Sequence, residues 1–313
     1  MQNRGHLDTE KRNPRSQSLD RLDISDAFDL INSEDATIAH AVAAAKIDIC
    51  RAIACVENAF RTGGRLIYVG AGTSGRLGVL DATECPPTFL TDPNQVQGLI
   101  AGGRDALVRS IEGAEDNVNA GAAAIDEMNI EFRDVVFGIA TGGTTPYVHA
   151  ALARARQRGA QTIFFACVPK DQVPDDADVS IRVLTGPEVL TGSTRMKAGT
   201  ATKMVLNMVT TIAWVRVGKV FENLMVDVNT AANAKLVDRG ARIIQEITGL
   251  SPEKSASALQ AAGGRVKVAL AMILRGAERT EAERLLNLAD GRLSVLIAQR
   301  GPAPVQSAPP GGR

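Results

Sequence analysis

The 313-residue sequence carries 35 Lys and Arg against 35 Asp and Glu, a formal net charge of zero, and only 4% of its residues are aromatic. A neutral chain short of aromatic rings has neither the basic surface that draws proteins to nucleic acid or anionic membranes nor the platforms on which bases stack. Its four cysteines, Cys50, Cys55, Cys85 and Cys167, include no CxxC pair and are joined by only three histidines, so no metal site is expected.

Residues 1–20 are polar and contain Asn13-Pro14. They lack the apolar core of a signal peptide, and the spacing predicts an extended arm. No apolar run is long enough to span a bilayer, so a cytoplasmic location with reduced thiols is expected. Helical spacing of apolar residues runs from about Ala36 to Phe60 and stops at Gly63-Gly64. Residues 65–70 (RLIYVG) form a short apolar run ending in glycine, which predicts a buried strand, with a helix beginning near Ser74. A weaker strand is predicted over 96–103 and a helix from Arg104 to Asn129. DVVFGIA (134–140) predicts a third strand, and a helix from Pro146 to about Gly159 has proline in its first turn. Strands over 161–167 and 177–184 follow.

Strands alternating with helices at this spacing imply an α/β fold with a doubly wound parallel sheet. Beyond Gly192 the pattern predicts one long, mostly buried helix over about 193–220, then helices only, including a small bundle of three short ones. The tail GPAPVQSAPPGGR (301–313) is rich in Pro and Gly and is expected to be disordered. The expected division is an arm and helix over 1–50, a main domain over 51–225, a helical region over 226–300 and the tail.

Three segments carry the chemistry. GAGTSGR (70–76) joins a strand to a helix, where backbone amides gather at the positive end of the helix dipole. Gly72, Thr73 and Ser74 there suit a phosphate. Gly70, Gly72 and Gly75 also match the dinucleotide pattern GxGxxG, but the next predicted strand ends in AGG without the acidic residue that would hold a ribose. No GK[ST] follows either, so the loop is not a P-loop. TGGTTP (141–146) is a second loop of the same kind, with Thr141 and Thr144, and both loops would lie at the carboxyl edge of the sheet. In the third segment, residues 186–203, Ser193, Thr194 and Thr200 surround Arg195 and Lys197. These suit an anion, and equally a capped helix with solvated charges. Two acidic residues lie near the expected cleft: Glu84, just past the helix opened by the first loop, and Glu115, on the helix after the second strand. His149 reads as a surface or packing residue of its helix.

Several blocks resemble the N-acetylmuramic acid 6-phosphate etherase family, within the sugar isomerase (SIS) domain superfamily. They include TEKRNPRS (9–16), GGRLIYVGAGTSGRLGVLDATECPPTF (63–89), EGAED (112–116), GPEVLTGSTRMKAGTATKMVLNM (186–208), GKVFENLMVDV (218–228) and NAKLVDR (233–239). In order and spacing the likeness runs to about residue 300. It implies a five-stranded parallel SIS sheet with a helical arm before it and a helical bundle after it. The activity implied is a lyase reaction that releases D-lactate from C3 of a phosphorylated amino sugar in cell-wall recycling, with no cofactor.

By resemblance Glu84 is the acid that protonates the leaving group and Glu115 the base at C2, although the roles are exchangeable and Glu112 lies close by. Ser193 and Thr194 would lie near the sugar. Lys235 would contact the sugar phosphate, reaching across a homodimer whose site lies near the interface. One departure concerns the second loop. The family commonly has ASGRTPYV where this chain has ATGGTTPYV (140–148), so Gly142 stands in place of a serine and Thr144 in place of an arginine. Two alternatives belong to the same superfamily: a non-catalytic sugar-phosphate sensor like the glucokinase regulatory protein, and an aldose–ketose isomerase. The two glutamates weigh against the first and LDATECPPT (80–88) against the second.

Overall fold

The computed structural model describes residues 4–228, 230 and 234–298. The predicted disordered tail lies outside these residues. In chain order the elements are α1 (Ile24–Asp35), α2 (Ile38–Ala44), α3 (Lys46–Arg61), β1 (Leu66–Gly70), α4 (Gly72–Phe89), β2 (Val96–Ile100) and α5 (Val118–Glu127). There follow β3 (Val135–Ile139), α6 (Pro146–Gln157), β4 (Gln161–Ala166), β5 (Val179–Arg182), α7 (Lys197–Arg216), α8 (Ala234–Thr248), α9 (Pro252–Ala261), α10 (Val266–Arg275), α11 (Arg279–Leu288) and α12 (Leu293–Ala298). No single helix among the described residues is long and apolar enough to cross a membrane.

The five strands form one parallel sheet in the order β2-β1-β3-β4-β5. Leu66 pairs with Val96 on one side and with Val135 on the other. β1 and β3 are buried at every position, as a sheet covered on both faces requires. On one face Ile67, Val69, Val136 and Phe164 pack with Ile125 of α5 and Val148, Ala151 and Leu152 of α6. Each of these side chains larger than Ala151 contributes about 1.5–3 kcal/mol by leaving water. On the other face Asp81 of α4 accepts hydrogen bonds from Tyr68 Oη at 2.8 Å and Thr210 Oγ1 at 3.2 Å. Burial holds the Asp81 carboxyl above its usual range.

The chain divides into two compact units. The first runs to Ala213 apart from Thr88–Leu90, and the second takes that segment and the chain from Trp214. The second is helical, with its own core of Val226, Ile244, Leu259, Leu270, Leu286 and Leu293. Within it Lys267 pairs with Asp227 and donates to Gly218 O at 2.9 Å.

Several expectations are corrected. The arm is docked, not extended: it makes three short turns, Asp8–Glu10, Pro14–Ser16 and Leu19–Arg21, and buries Leu7 and Thr9. Helix α1 is additional, and the pattern over 36–60 resolves into α2 and α3, which break at Ala45. The helix predicted over 104–129 is two short turns followed by α5, because Gly113 adopts a left-handed φ of 74°. Glu115 therefore lies in the turn Ala114–Asp116, not on a helix. Glu84 lies inside α4, not past it, because the helix continues through Pro86 and Pro87 to Phe89. The long helix starts only at Lys197, and from residue 251 on, where three short helices were expected, there are four among the described residues, α9 to α12.

Candidate functional site

The sheet reverses its winding between β1 and β3: β2 lies outside β1, and β4 and β5 lie outside β3. The loops leaving these two strands must part, and the crevice between them is where open α/β sheets hold ligands. A cleft of about 240 Å³ lies there. Ala71, Gly72, Thr73 and Ser74 line it from the first loop, Thr141, Gly142, Thr144 and Thr145 from the second, and Thr194 from the segment before α7. Glu115 contributes a carboxylate, and the arm adds Arg4, Leu7 and Glu10.

The first loop owes its glycines to packing. A Cβ on Gly70 would lie 2.6 Å from Gly75 N, and one on Gly75 would lie 2.6 Å from Ile100 Cγ1. Their absence lets α4 start against the end of β1, with the amides of its first turn at the cleft and Ser74 buried beside them. The second loop is fixed by its neighbours. Gly143 N donates to Ala140 O and Cys167 N to Thr141 O, each at 2.8 Å. His149 Nε2 lies 2.6 Å from Gly143 O, and its ring packs 5.1 Å from that of Phe164. Facing a carbonyl, that nitrogen carries the proton. The residue read as surface or packing is thus a clamp on the loop.

The third segment is built differently from the anion contact that its charges suggest. Glu188 is fully buried and accepts from Lys197 N and Ala198 N, each at 2.9 Å, so its carboxylate caps α7. Burial pushes the Glu188 carboxyl up. Lys197 Nζ lies 2.6 Å from Glu34 Oε2, with both side chains buried. Glu34 also accepts from Asn13 Nδ2 at 2.9 Å and Arg15 Nη1 at 2.6 Å. Burial would raise the Glu34 pKa, but the hydrogen bonds from Lys197 and Asn13 outweigh it and hold the carboxyl below its usual value. Lys197 is therefore committed to the arm and α1. This network gave no sequence signal, because its members lie far apart in the chain.

Of the residues singled out in the sequence, the cleft gathers Gly72, Thr73, Ser74, Glu115, Thr141, Thr144 and Thr194, and Ser193 does not line it. Glu84 is exposed on α4, 12 residues after Gly72, which is roughly 18 Å along the helix axis. Within one chain it does not join Glu115. Glu112 accepts from Ser110 Oγ at 3.0 Å and lines a neighbouring pocket with Arg76, Arg109 and Glu115. Lys235 is exposed at the start of α8 in the second unit. Arg4, Leu7, Glu10 and Thr145 line the cleft without having been expected to.

The sequence matches the model of the glucokinase regulatory protein N-terminal SIS domain over residues 48–156 and that of the SIS domain over residues 108–212. Among curated proteins it is 56% identical to N-acetylmuramic acid 6-phosphate etherase of Nostoc punctiforme, over 95% of this chain and 96% of that one. The protein of the same name from Crocosphaera subtropica is 54% identical over 95% of this chain and 97% of its own, and that from Synechocystis 53% identical over 94% and 96%. Likeness of this extent, over a chain whose sheet, loops and cleft have the form described, places the protein in the N-acetylmuramic acid 6-phosphate etherase family.

Proposed function

We propose that the protein is a carbon–oxygen lyase that converts N-acetylmuramic acid 6-phosphate and water to N-acetylglucosamine 6-phosphate and D-lactate, working in the cytoplasm as a homodimer. The observation that carries this reading is the cleft itself: hydroxyls and helix-start amides of two βα loops face the Glu115 carboxylate across a space of sugar-phosphate size, with Glu10 and Arg4 of the arm beside it. Thr73, Ser74, Thr141 and Thr144 hold the phosphate, with Arg4 supplying positive charge.

In the open-chain sugar the C1 aldehyde acidifies the C2 proton. Glu115 takes that proton while an acid protonates the ether oxygen, so the C3–O bond breaks, lactate leaves and a C2–C3 double bond forms. Water then adds its oxygen to C3, and a proton returns to C2. The acid is Glu84 of the partner subunit. Glu84 is too far along α4 to serve its own cleft, and it lies one turn from the half-exposed Leu80, with Met208 and Ile212 similarly exposed on α7. Those apolar side chains suit a subunit contact. Lys235 is assigned to the same composite site.

The match to the glucokinase regulatory protein domain supports a second reading, a sensor that binds without turnover. An assay of D-lactate release decides between them. The native protein is expected to release D-lactate from N-acetylmuramic acid 6-phosphate, and Glu84→Gln and Glu115→Gln to bind the sugar without releasing it. Binding without release by the native protein would favour the sensor.

A further inference from the structure

The hydroxyl of Thr9 has no account in the architecture of the arm. Thr9 is 0% exposed, and its Oγ1 has no hydrogen-bond partner among the described residues. A buried hydroxyl left in that state is a net cost to the folded chain. The turn that carries it is nevertheless pinned: Glu10 N donates to Leu7 O at 2.9 Å, and Asp8 and Gln172 exchange two hydrogen bonds of 3.1 Å. Leu7 and Glu10, on either side, both line the cleft.

The hydroxyl points toward the second loop at its barest position. A Cβ built on Gly142, itself a cleft residue, would meet Thr9 Oγ1 at 3.7 Å and no other atom within 4 Å, its chain neighbours aside. A side chain at Gly142 would therefore meet this unpaired donor in ordinary contact, and among the described residues Gly142 alone stands between Thr9 Oγ1 and the cleft that Gly142 lines.

We propose that Thr9 is a phosphate-binding residue, its hydroxyl passing beside Gly142 to donate a hydrogen bond to an oxygen of the sugar phosphate. The proposal rests on the cleft being the substrate site as read above, and it makes the arm part of that site.

The test compares Thr9→Val with the native protein in three measurements: calorimetric titration with inorganic phosphate, kinetics on N-acetylmuramic acid 6-phosphate, and thermal melting. Valine keeps the shape and removes the donor. Phosphate affinity is expected to fall roughly tenfold and KM to rise by a similar factor, with kcat nearly unchanged. The melting temperature is expected to hold or rise, because a buried unpaired hydroxyl has been removed. Gly142→Ser placed in the Thr9→Val background restores a hydroxyl beside the vacated one, and is expected to recover most of the phosphate affinity. Unchanged phosphate affinity in Thr9→Val would overturn the proposal, as would a melting temperature lowered by several degrees, which would make the hydroxyl structural. A native protein that releases no lactate but binds phosphate in a Thr9-dependent way would leave this proposal standing and remove the etherase reading.

Discussion

The cleft has two kinds of wall. One is the edge of the sheet, where β1 and β3 are buried at every position and their loops are set by backbone packing and by His149. The other is the arm, which is tied down by polar groups: Glu34 with Asn13, Arg15 and Lys197, Asp8 with Gln172, and Ser16 Oγ donating to Val189 O at 2.7 Å. The first wall is chiefly a product of the hydrophobic effect. The second depends on charge and can be loosened by itself. A single site is thus held by two kinds of force that respond to different perturbations.

The largest expected effect leaves both walls intact. Glu115→Gln removes the base and should lower kcat by about 10²- to 10⁴-fold with little change in phosphate binding, as steady-state kinetics and titration would read. Glu84→Gln should be as inactive. Mixing the two inactive variants after subunit exchange should restore about a quarter of native activity, since half the dimers would then hold one complete site. No recovery would place both carboxylates in one chain.

Lys197→Met attacks the arm wall. It leaves Glu34 without its buried partner and should cost about 3 kcal/mol in denaturant unfolding, with loss of substrate affinity at temperatures where the fold persists. On the sheet side, His149→Ala releases one hydrogen bond to Gly143 O. It should raise KM roughly fivefold with kcat nearly preserved, and a matching fall in kcat would show that the loop takes part in the chemistry.

The smallest effect separates the walls by pH. Because the folded-state pKa of Glu34 is depressed, its stabilisation is complete above the ordinary value of 4.5 and is lost as pH falls through the depressed value. The stability difference between the native protein and Glu34→Gln should therefore close as pH falls below about 4.5, while amides of β1 and β3 keep their protection from exchange.

The two walls also differ in how far they could be foreseen. The strands were legible because each is an apolar run closed by glycine or a turn, and the two loops followed from where those runs end. Arm, α1 and the 104–129 segment were not. Leu7 and Thr9 are isolated buried residues with no period to detect, and Ile24 and Phe28 of α1 face outward, so that helix offers no apolar stripe toward a core. Gly113 was present as a break signal, but the alanines on both sides made the segment resemble a continuous helix. Within the site, hydroxyl loops and glutamates could be named from local chemistry. The distance between Glu84 and Glu115, and the diversion of Lys197 to Glu34, depend on contacts between segments more than a hundred residues apart or on the rise of a helix, and no local pattern encodes either.

The docked arm has a consequence for the lifetime of the activity. Arg12 is exposed, while Asn13, the residue after it, is fixed to Glu34. A protease that cleaved after Arg12 would free Arg4, Leu7, Thr9 and Glu10 while leaving the Glu34 network and the sheet in place. The result would be a folded protein that keeps its sheet, loses Leu7 from the core and holds half a binding site. Limited trypsin digestion at Lys11 or Arg12, both exposed, should therefore abolish turnover well before it unfolds the sheet, so that cleavage in the arm governs inactivation independently of unfolding.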